Sequence, residues 1–237
     1  YNYLGVAQIV GTDLAEPTSY SRLYGTGTAN YSAIDRFGRV TQSRWTKDLV
    51  TPRNFYEVNL SYDRASNITV ATNTVHPGYD ASYSMDGRNR LTRAEEGTWS
   101  GSAITTRTRD QQWTLSQPGN WSVGKLDLDG DGLFTGGGEL NDTGTFNTAN
   151  ELTSRDTDTN GSANYTLGYD AVGNQTDDGK DYTYVYDAFG RMVTVKARVG
   201  GAIVAEYRYN GLNFRISTRS DLTRSGGGAP DGVVDAN

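Results

Sequence analysis

The chain has 237 residues, with no cysteine, 29 glycines, 16 tyrosines, 35 % hydrophobic residues and a net charge of −6 from 28 acidic and 22 basic side chains. This composition excludes a disulfide framework, thiolate metal sites and cysteine catalysis. It argues against nucleic acid as a partner, because no basic stripe is present to neutralise phosphates. Leu, Ala and Ile are too few for a helical bundle or a Rossmann-type domain. No apolar run approaches the ~20 residues that span a bilayer as a helix. The chain opens on Tyr1 rather than Met, which reads as a piece of a longer chain.

One pattern recurs from end to end: an aromatic or apolar residue, then Asp or Asn, two free positions, then Gly or Asn. In chain order it appears at "YNYLG" (Asn2, Gly5), "IDRFG" (Asp35, Gly38), "YDRAS" (Asp63, with Ser66 in place of Gly) and "MDGRN" (Asp86, Asn89). It continues at "LSQPG" (Ser116 in place of Asp, Gly119), "FNTAN" (Asn147, Asn150), "YDAVG" (Asp170, Gly173), "YDAFG" (Asp187, Gly190) and "YNGLN" (Asn210, Asn213). The nine copies lie 17 to 33 residues apart, which suits a hairpin unit with loops of varying length.

The turn chemistry accounts for the pattern. Asp or Asn at the first position of a type I turn accepts hydrogen bonds from the backbone two residues on. Gly or Asn at the fourth tolerates the left-handed conformation that a following bulge needs. Alternation marks the flanking strands: Tyr182, Tyr184 and Tyr186 share one face, as do Tyr207 and Tyr209, and Tyr56, Val58, Leu60 and Tyr62. An apolar residue usually returns after the turn, as at Val40, Ile68, Leu91, Trp121, Leu152 and Met192. The fold class expected is all-β, made of antiparallel hairpin repeats with the tyrosines as core aromatics.

Between the hairpins, "DLDGDGLFTGGGEL" carries Asp127, Asp129 and Asp131 at alternating positions, with Glu139 as an acidic closer. Several carboxylates on one loop are how a hard cation such as Ca2+ is gathered. In an EF-hand loop the closing Glu would fall at Gly138, one place earlier. The other reading is a solvated acidic turn. "DTDTNGSANYT" repeats the idea more weakly through Asp156, Asp158 and Asn160, and there a simple turn is favoured.

Other features point away from chemistry. His76 is the sole histidine, with no nucleophile motif near it. Glu95–Glu96 and Asp177–Asp178 are sequence neighbours, which on a strand face opposite ways. "YGTGTAN" (24–30) lacks the strand-then-helix context of a phosphate loop. Trp45, Trp99, Trp113 and Trp121 could stack on sugars, although packing is their default role. Asn-X-Ser/Thr sequons at Asn30, Asn59, Asn67, Asn120, Asn141, Asn160, Asn164 and Asn174 make glycans possible.

"YDAFGRMVTV", "YDAVGNQT" and "YNGLNFRIS" resemble the YD repeat of Rhs proteins, insecticidal toxin-complex shells and teneurins. The resemblance implies a long antiparallel sheet that spirals into an open shell or barrel with tyrosines along its inner wall. It implies a repeat region at 1–217, with the calcium-like loop inserted near 125–142, and a Gly-rich tail at 218–237. The function expected is an extracellular, secreted or cell-surface, non-enzymatic structural segment. Its partners would be its own copies or neighbouring YD repeats. An adhesin surface and a fragment of a toxin-enclosing cocoon are the alternatives.

Overall fold

The computed structural model describes residues 1–4, 8–14, 20–23, 33–47 and 53–221. The protein is all-β. Its first sheet comprises β1 (Asn2–Leu4), β2 (Gln8–Leu14), β3 (Tyr20–Leu23), β4 (Gln42–Lys47), β5 (Arg53–Tyr62), β6 (Ile68–Asn73), β7 (Asp80–Met85), β8 (Leu91–Trp99), β9 (Ile104–Leu115), β10 (Trp121–Asp127), β11 (Leu140–Phe146), β12 (Leu152–Asp156) and β13 (Tyr165–Thr166). The second comprises β14 (Gly168–Tyr169), β15 (Gln175–Asp177), β16 (Tyr182–Tyr186), β17 (Met192–Ala197), β18 (Ile203–Tyr209) and β19 (Arg215–Ser220). In both, strand order follows sequence order, and the described strands close no barrel. The helical structure among the described residues is one 3-10 turn, Pro77–Tyr79.

The chain divides into two compact units, Tyr1–Thr114 with Gly124–Leu140, and Leu115–Val123 with Asn141–Asn237. In each, sequence-adjacent strands pair antiparallel, as β7 with β8 in the first and β16 with β17 in the second. The strands end where the repeat pattern places turns. Register shifts fall at Ser61/Tyr62, Ser84/Met85, Thr145/Phe146, Gly168/Tyr169, Val185/Tyr186 and Arg208/Tyr209, each just before a repeat turn. These are the bulges that a type I turn followed by a left-handed residue imposes on a hairpin.

Few apolar side chains are enclosed. Among the described residues the buried ones are Val10, Ala33, Ala81 and Ala205. Tyr182, Tyr184, Tyr186, Tyr207 and Tyr209 are half-buried. Their cover comes from cross-strand neighbours, with Tyr184 opposite Val195 and Tyr186 opposite Met192. The most deeply buried large side chains are instead two carboxylates, Asp110 and Asp127. Strand β19 runs to Ser220, beyond the expected repeat boundary at 217, and the rest of the expected tail from 222 lies outside the described residues.

The fourth position of the turn carries a sharp conformational demand. Gly190 has φ +71°, whereas Gly87, at the second position of the Asp86 turn, has no such strain and open space around it. Gly190→Ala is expected to destabilise the fold by about 1–2 kcal/mol. Gly87→Ala should be neutral or stabilising by up to about 1 kcal/mol. Urea denaturation of the two variants checks this, and equal losses would refute it.

Candidate functional site

Eight of the nine repeat turns lie within the described residues, at Asp35, Asp63, Asp86, Ser116, Asn147, Asp170, Asp187 and Asn210. The ninth, Asn2–Gly5, ends on a residue outside them, as does the whole of the 24–30 stretch. All eight share two backbone bonds: the fourth residue donates its N–H to the first carbonyl, and the first residue donates to the fifth. At Asp187 these are Gly190 N to Asp187 O at 3.0 Å and Asp187 N to Arg191 O at 2.9 Å. All eight fourth residues have positive φ, including the four that are not glycine, Ser66 (72°), Asn89 (60°), Asn150 (64°) and Asn213 (65°). Ser66, the one departure from the Gly-or-Asn pattern, therefore folds into the same turn at the cost of local strain.

The first side chain ties the loop from inside. Asp187 Oδ1 accepts the N–H of Phe189 at 2.9 Å and of Arg191 at 3.1 Å. The same pair recurs at Asp35, Asp86, Asn147, Asp170 and Asn210. Ser116 substitutes its hydroxyl, which accepts from Asn120 N at 3.0 Å. The fifth residue completes the turn in a way the repeat pattern did not disclose. Arg39, Arg90 and Arg191 donate Nε to the first carboxylate at 2.7 Å, and Asn67 and Asn174 donate Nδ2 at 2.8 Å. Where the first residue is Asn147 the polarity inverts, and its amide donates to Glu151 at 2.6 Å.

The fifth residue also reaches the next turn along. Arg39 Nη1 donates to Asp63 O at 3.0 Å and Ser66 Oγ at 3.2 Å. Arg191 Nη1 meets Asn210 O at 3.2 Å and Asn213 Oδ1 at 3.0 Å. Asn67 meets Asn89 at 2.9 Å, and Asn120 meets Asn150 at 3.2 Å. Four of the described turns, at Asp35, Asp63, Ser116 and Asp187, thus grip the next turn along.

A second tie runs through the phenols. The tyrosine before a turn donates its hydroxyl to the first strand residue after the preceding turn: Tyr62 to Val40 O (2.7 Å), Tyr169 to Leu152 O (3.0 Å), Tyr186 to Gln175 O (2.9 Å) and Tyr209 to Met192 O (2.9 Å). Arg39 and Arg191 lie over the Tyr62 and Tyr209 rings at 4.6 and 5.0 Å. At Met85, Leu115 and Phe146 the equivalent residue has no hydroxyl. Tyr184 bonds Asp178 Oδ2 at 3.2 Å, and burial, then that carboxylate, push its pKa up to about 12.

The acidic loop after β10 brings its four residues together. One carboxylate oxygen from each of Asp127, Asp129, Asp131 and Glu139 lies within 4.8 Å of the others. Asp127 is fully buried, and its oxygens accept Gly130 N at 2.6 Å and Gly132 N at 2.9 Å. Glu139 closes the loop despite its offset by one residue. A turn from Gly136 lets it fold back, so that its oxygens accept Leu128 N at 3.1 Å and Gly136 N at 2.6 Å. Gly130 lies so close to β9 that a Cβ there would stand 2.1 Å from Arg107 O. The weaker loop follows the same plan: Asp156 accepts Asp158 N and Gly161 N, and Asp158 accepts Asn160 N.

Elsewhere, His76 is exposed and edge-on to Tyr79 at 6.4 Å. Trp121 is exposed, and Trp45, Trp99 and Trp113 are half-buried. The sequon amides of Asn67, Asn120, Asn160, Asn164 and Asn174 all donate to neighbouring oxygens, so a glycan there would displace an existing bond. Two buried acids escaped the sequence reading. Asp80 accepts Asn73 N (2.7 Å) and Trp99 N (2.8 Å), and Asp110 pairs with Arg93 (2.7 Å).

No family model and no curated protein matches the chain. Solved structures do. A crystal structure of TcdB2–TccC3–TEV is 14 % identical, covering 90 % of this chain and 11 % of that one, with a TM-score of 0.57. The pore of a Tc holotoxin from Photorhabdus luminescens is 15 % identical, covering 87 % of this chain and 10 % of that one, with a TM-score of 0.48. The chain spans about a tenth of each. The first likeness establishes a common fold.

Two measurements follow from the ladder. Tyr186→Phe should lose about 1 kcal/mol of stability, whereas Tyr182→Phe, whose hydroxyl has no partner among the described residues, should lose much less; thermal melts decide. Side-chain donors Asn67, Asn174 and Arg191, then backbone N–H groups, hold Asp63, Asp170 and Asp187 below the ordinary 3.8. Their contribution is complete above that value and is lost as pH falls through the depressed pKa values. Asp187→Asn should therefore flatten the fall of stability below about pH 4, and an unchanged acid profile would contradict the assignment.

Proposed function

We propose that this chain is a non-enzymatic structural segment of an extracellular YD-repeat assembly. It extends a shell, tube or filament by joining its strands and turns to neighbouring repeats, from its parent chain or from other copies. The observation that carries this reading is the ladder of turns. Each described turn has the same two backbone bonds, and the fifth residues Arg39, Asn67, Asn120 and Arg191 reach forward to the next turn, so the unit is built to be continued. The resemblance of the repeat to Rhs and toxin-complex shells supports it, as does the common fold with TcdB2–TccC3–TEV. The exposed setting of His76, apart from any nucleophile motif, supports a role without catalysis.

Within this role the loop of Asp127, Asp129, Asp131 and Glu139 holds calcium. Support comes from four convergent carboxylates that make no ion pair to a lysine or arginine among the described residues, since such oxygen clusters suit a hard cation. The metal would lock the β10–β11 connection and relieve repulsion between the carboxylates. Extracellular calcium, at millimolar levels, suits a loop of this modest ligand count.

Electron microscopy of the concentrated chain should show shells, tubes or filaments. A monomer with protease-resistant terminal strands would remove the assembly reading. Calcium should raise the melting temperature, with the rise reversed by chelator and absent in Asp129→Ala. Identical melts in all conditions would remove the metal.

A further inference from the structure

We propose that Asn210 is a site of spontaneous deamidation, selected by its turn rather than by its dipeptide. The sequence contains two Asn-Gly pairs, Asn160–Gly161 and Asn210–Gly211. In such a pair the glycine nitrogen attacks the asparagine Cγ. A nitrogen–carbon bond forms, the Cγ–Nδ2 bond breaks, and the nitrogen's proton leaves with ammonia through solvent. The resulting succinimide then takes up one water. Opening at Cγ gives aspartate, and opening at the main-chain carbonyl gives isoaspartate.

The two sites are prepared differently. Asn210 Oδ1 accepts two N–H groups, from Leu212 at 2.9 Å and Phe214 at 3.0 Å. These donors polarise the carbonyl and stabilise the oxyanion that forms at Cγ when it is attacked, as paired backbone donors do in acyl transfer. The leaving Nδ2 and the attacking Gly211 nitrogen have no partner among the described residues. A Cβ at Gly211 would meet nothing within 4 Å, so its surroundings are open.

Asn160 is restrained at each of these points. Its Oδ1 accepts one donor, Ser162 N at 2.8 Å. Its Nδ2 donates to Asp158 Oδ2 at 3.0 Å, and the attacking nitrogen, Gly161 N, donates to Asp156 Oδ2 at 2.9 Å.

The product has a place ready for it. Five of the other described turns already carry aspartate at this position, namely Asp35, Asp63, Asp86, Asp170 and Asp187. Arg191 Nη1 already lies 3.2 Å from the Asn210 main-chain oxygen. A carboxylate at position 210 adds Coulombic attraction to this guanidinium, which already pairs with Asp187. Opening to aspartate thus gives the last described turn the residue found in five others and strengthens its grip by the preceding turn.

The test is peptide mapping by mass spectrometry of the intact folded chain, incubated in mildly alkaline heavy-oxygen water, with a parallel sample in urea. In the folded chain Asn210 should convert roughly tenfold faster than Asn160, a fraction of the effect of a buried oxyanion donor, and in urea the two rates should converge. Equal rates in the folded chain, a faster Asn160, or the same preference in urea would each overturn the proposal. Asn210→Asp should melt above the parent chain, and a lower melting temperature would overturn the proposed gain in turn-to-turn grip.

Discussion

A side-chain oxygen accepting backbone N–H groups inside a five-residue loop is the interaction on which this fold rests. Such loops leave amide donors facing inward with no strand to receive them, and unpaired donors are costly. Asp, Asn or Ser at the first position supplies the acceptor. Because the loop is then fixed at its full length, the register of both flanking strands is fixed with it. Strand pairing, the bulge at each tyrosine and the approach of neighbouring turns all follow from that local choice. Side-chain burial plays a smaller part than in most domains, and the deepest positions belong to acids with assigned donors.

Much of this was legible in the residues, because the turn is local. The spacing of Asp187 and Gly190 is enough to specify a loop, and even Ser66 and Ser116 took their places in it. Less local features were hidden. The fifth position varies among Arg, Asn, Glu and Phe, so no fixed letter marks it; it is readable only as the complement of the first residue, as Glu151 is of Asn147. The acceptor of each phenol lies one repeat earlier, and only the strand order brings the two together. Asp80 and Asp110 are single acids within strands, without a motif to distinguish them from solvated ones. Glu139 was named with its loop, but the fold-back that compensates its offset depends on the Gly136 turn.

The two ties differ in continuity. Turn-to-turn hydrogen bonds persist through non-consensus repeats, since Asn67 and Asn120 serve where arginine serves elsewhere. The phenol bonds do not persist, because Met85, Leu115 and Phe146 cannot donate. Phenol bonds therefore precede the turns at Asp170, Asp187 and Asn210, whereas Met85 and Leu115 offer none before Asp86 and Ser116. The carbonyl positions remain the same, so the difference lies in the donors.

A structure whose turns make contacts with adjacent repeats alone carries no internal measure of its own length. Adding or deleting a hairpin leaves all remaining contacts intact, apart from one junction. Gene duplication can therefore lengthen or shorten such a sheet without redesign, and its extent must be set by whatever caps the first and last rungs.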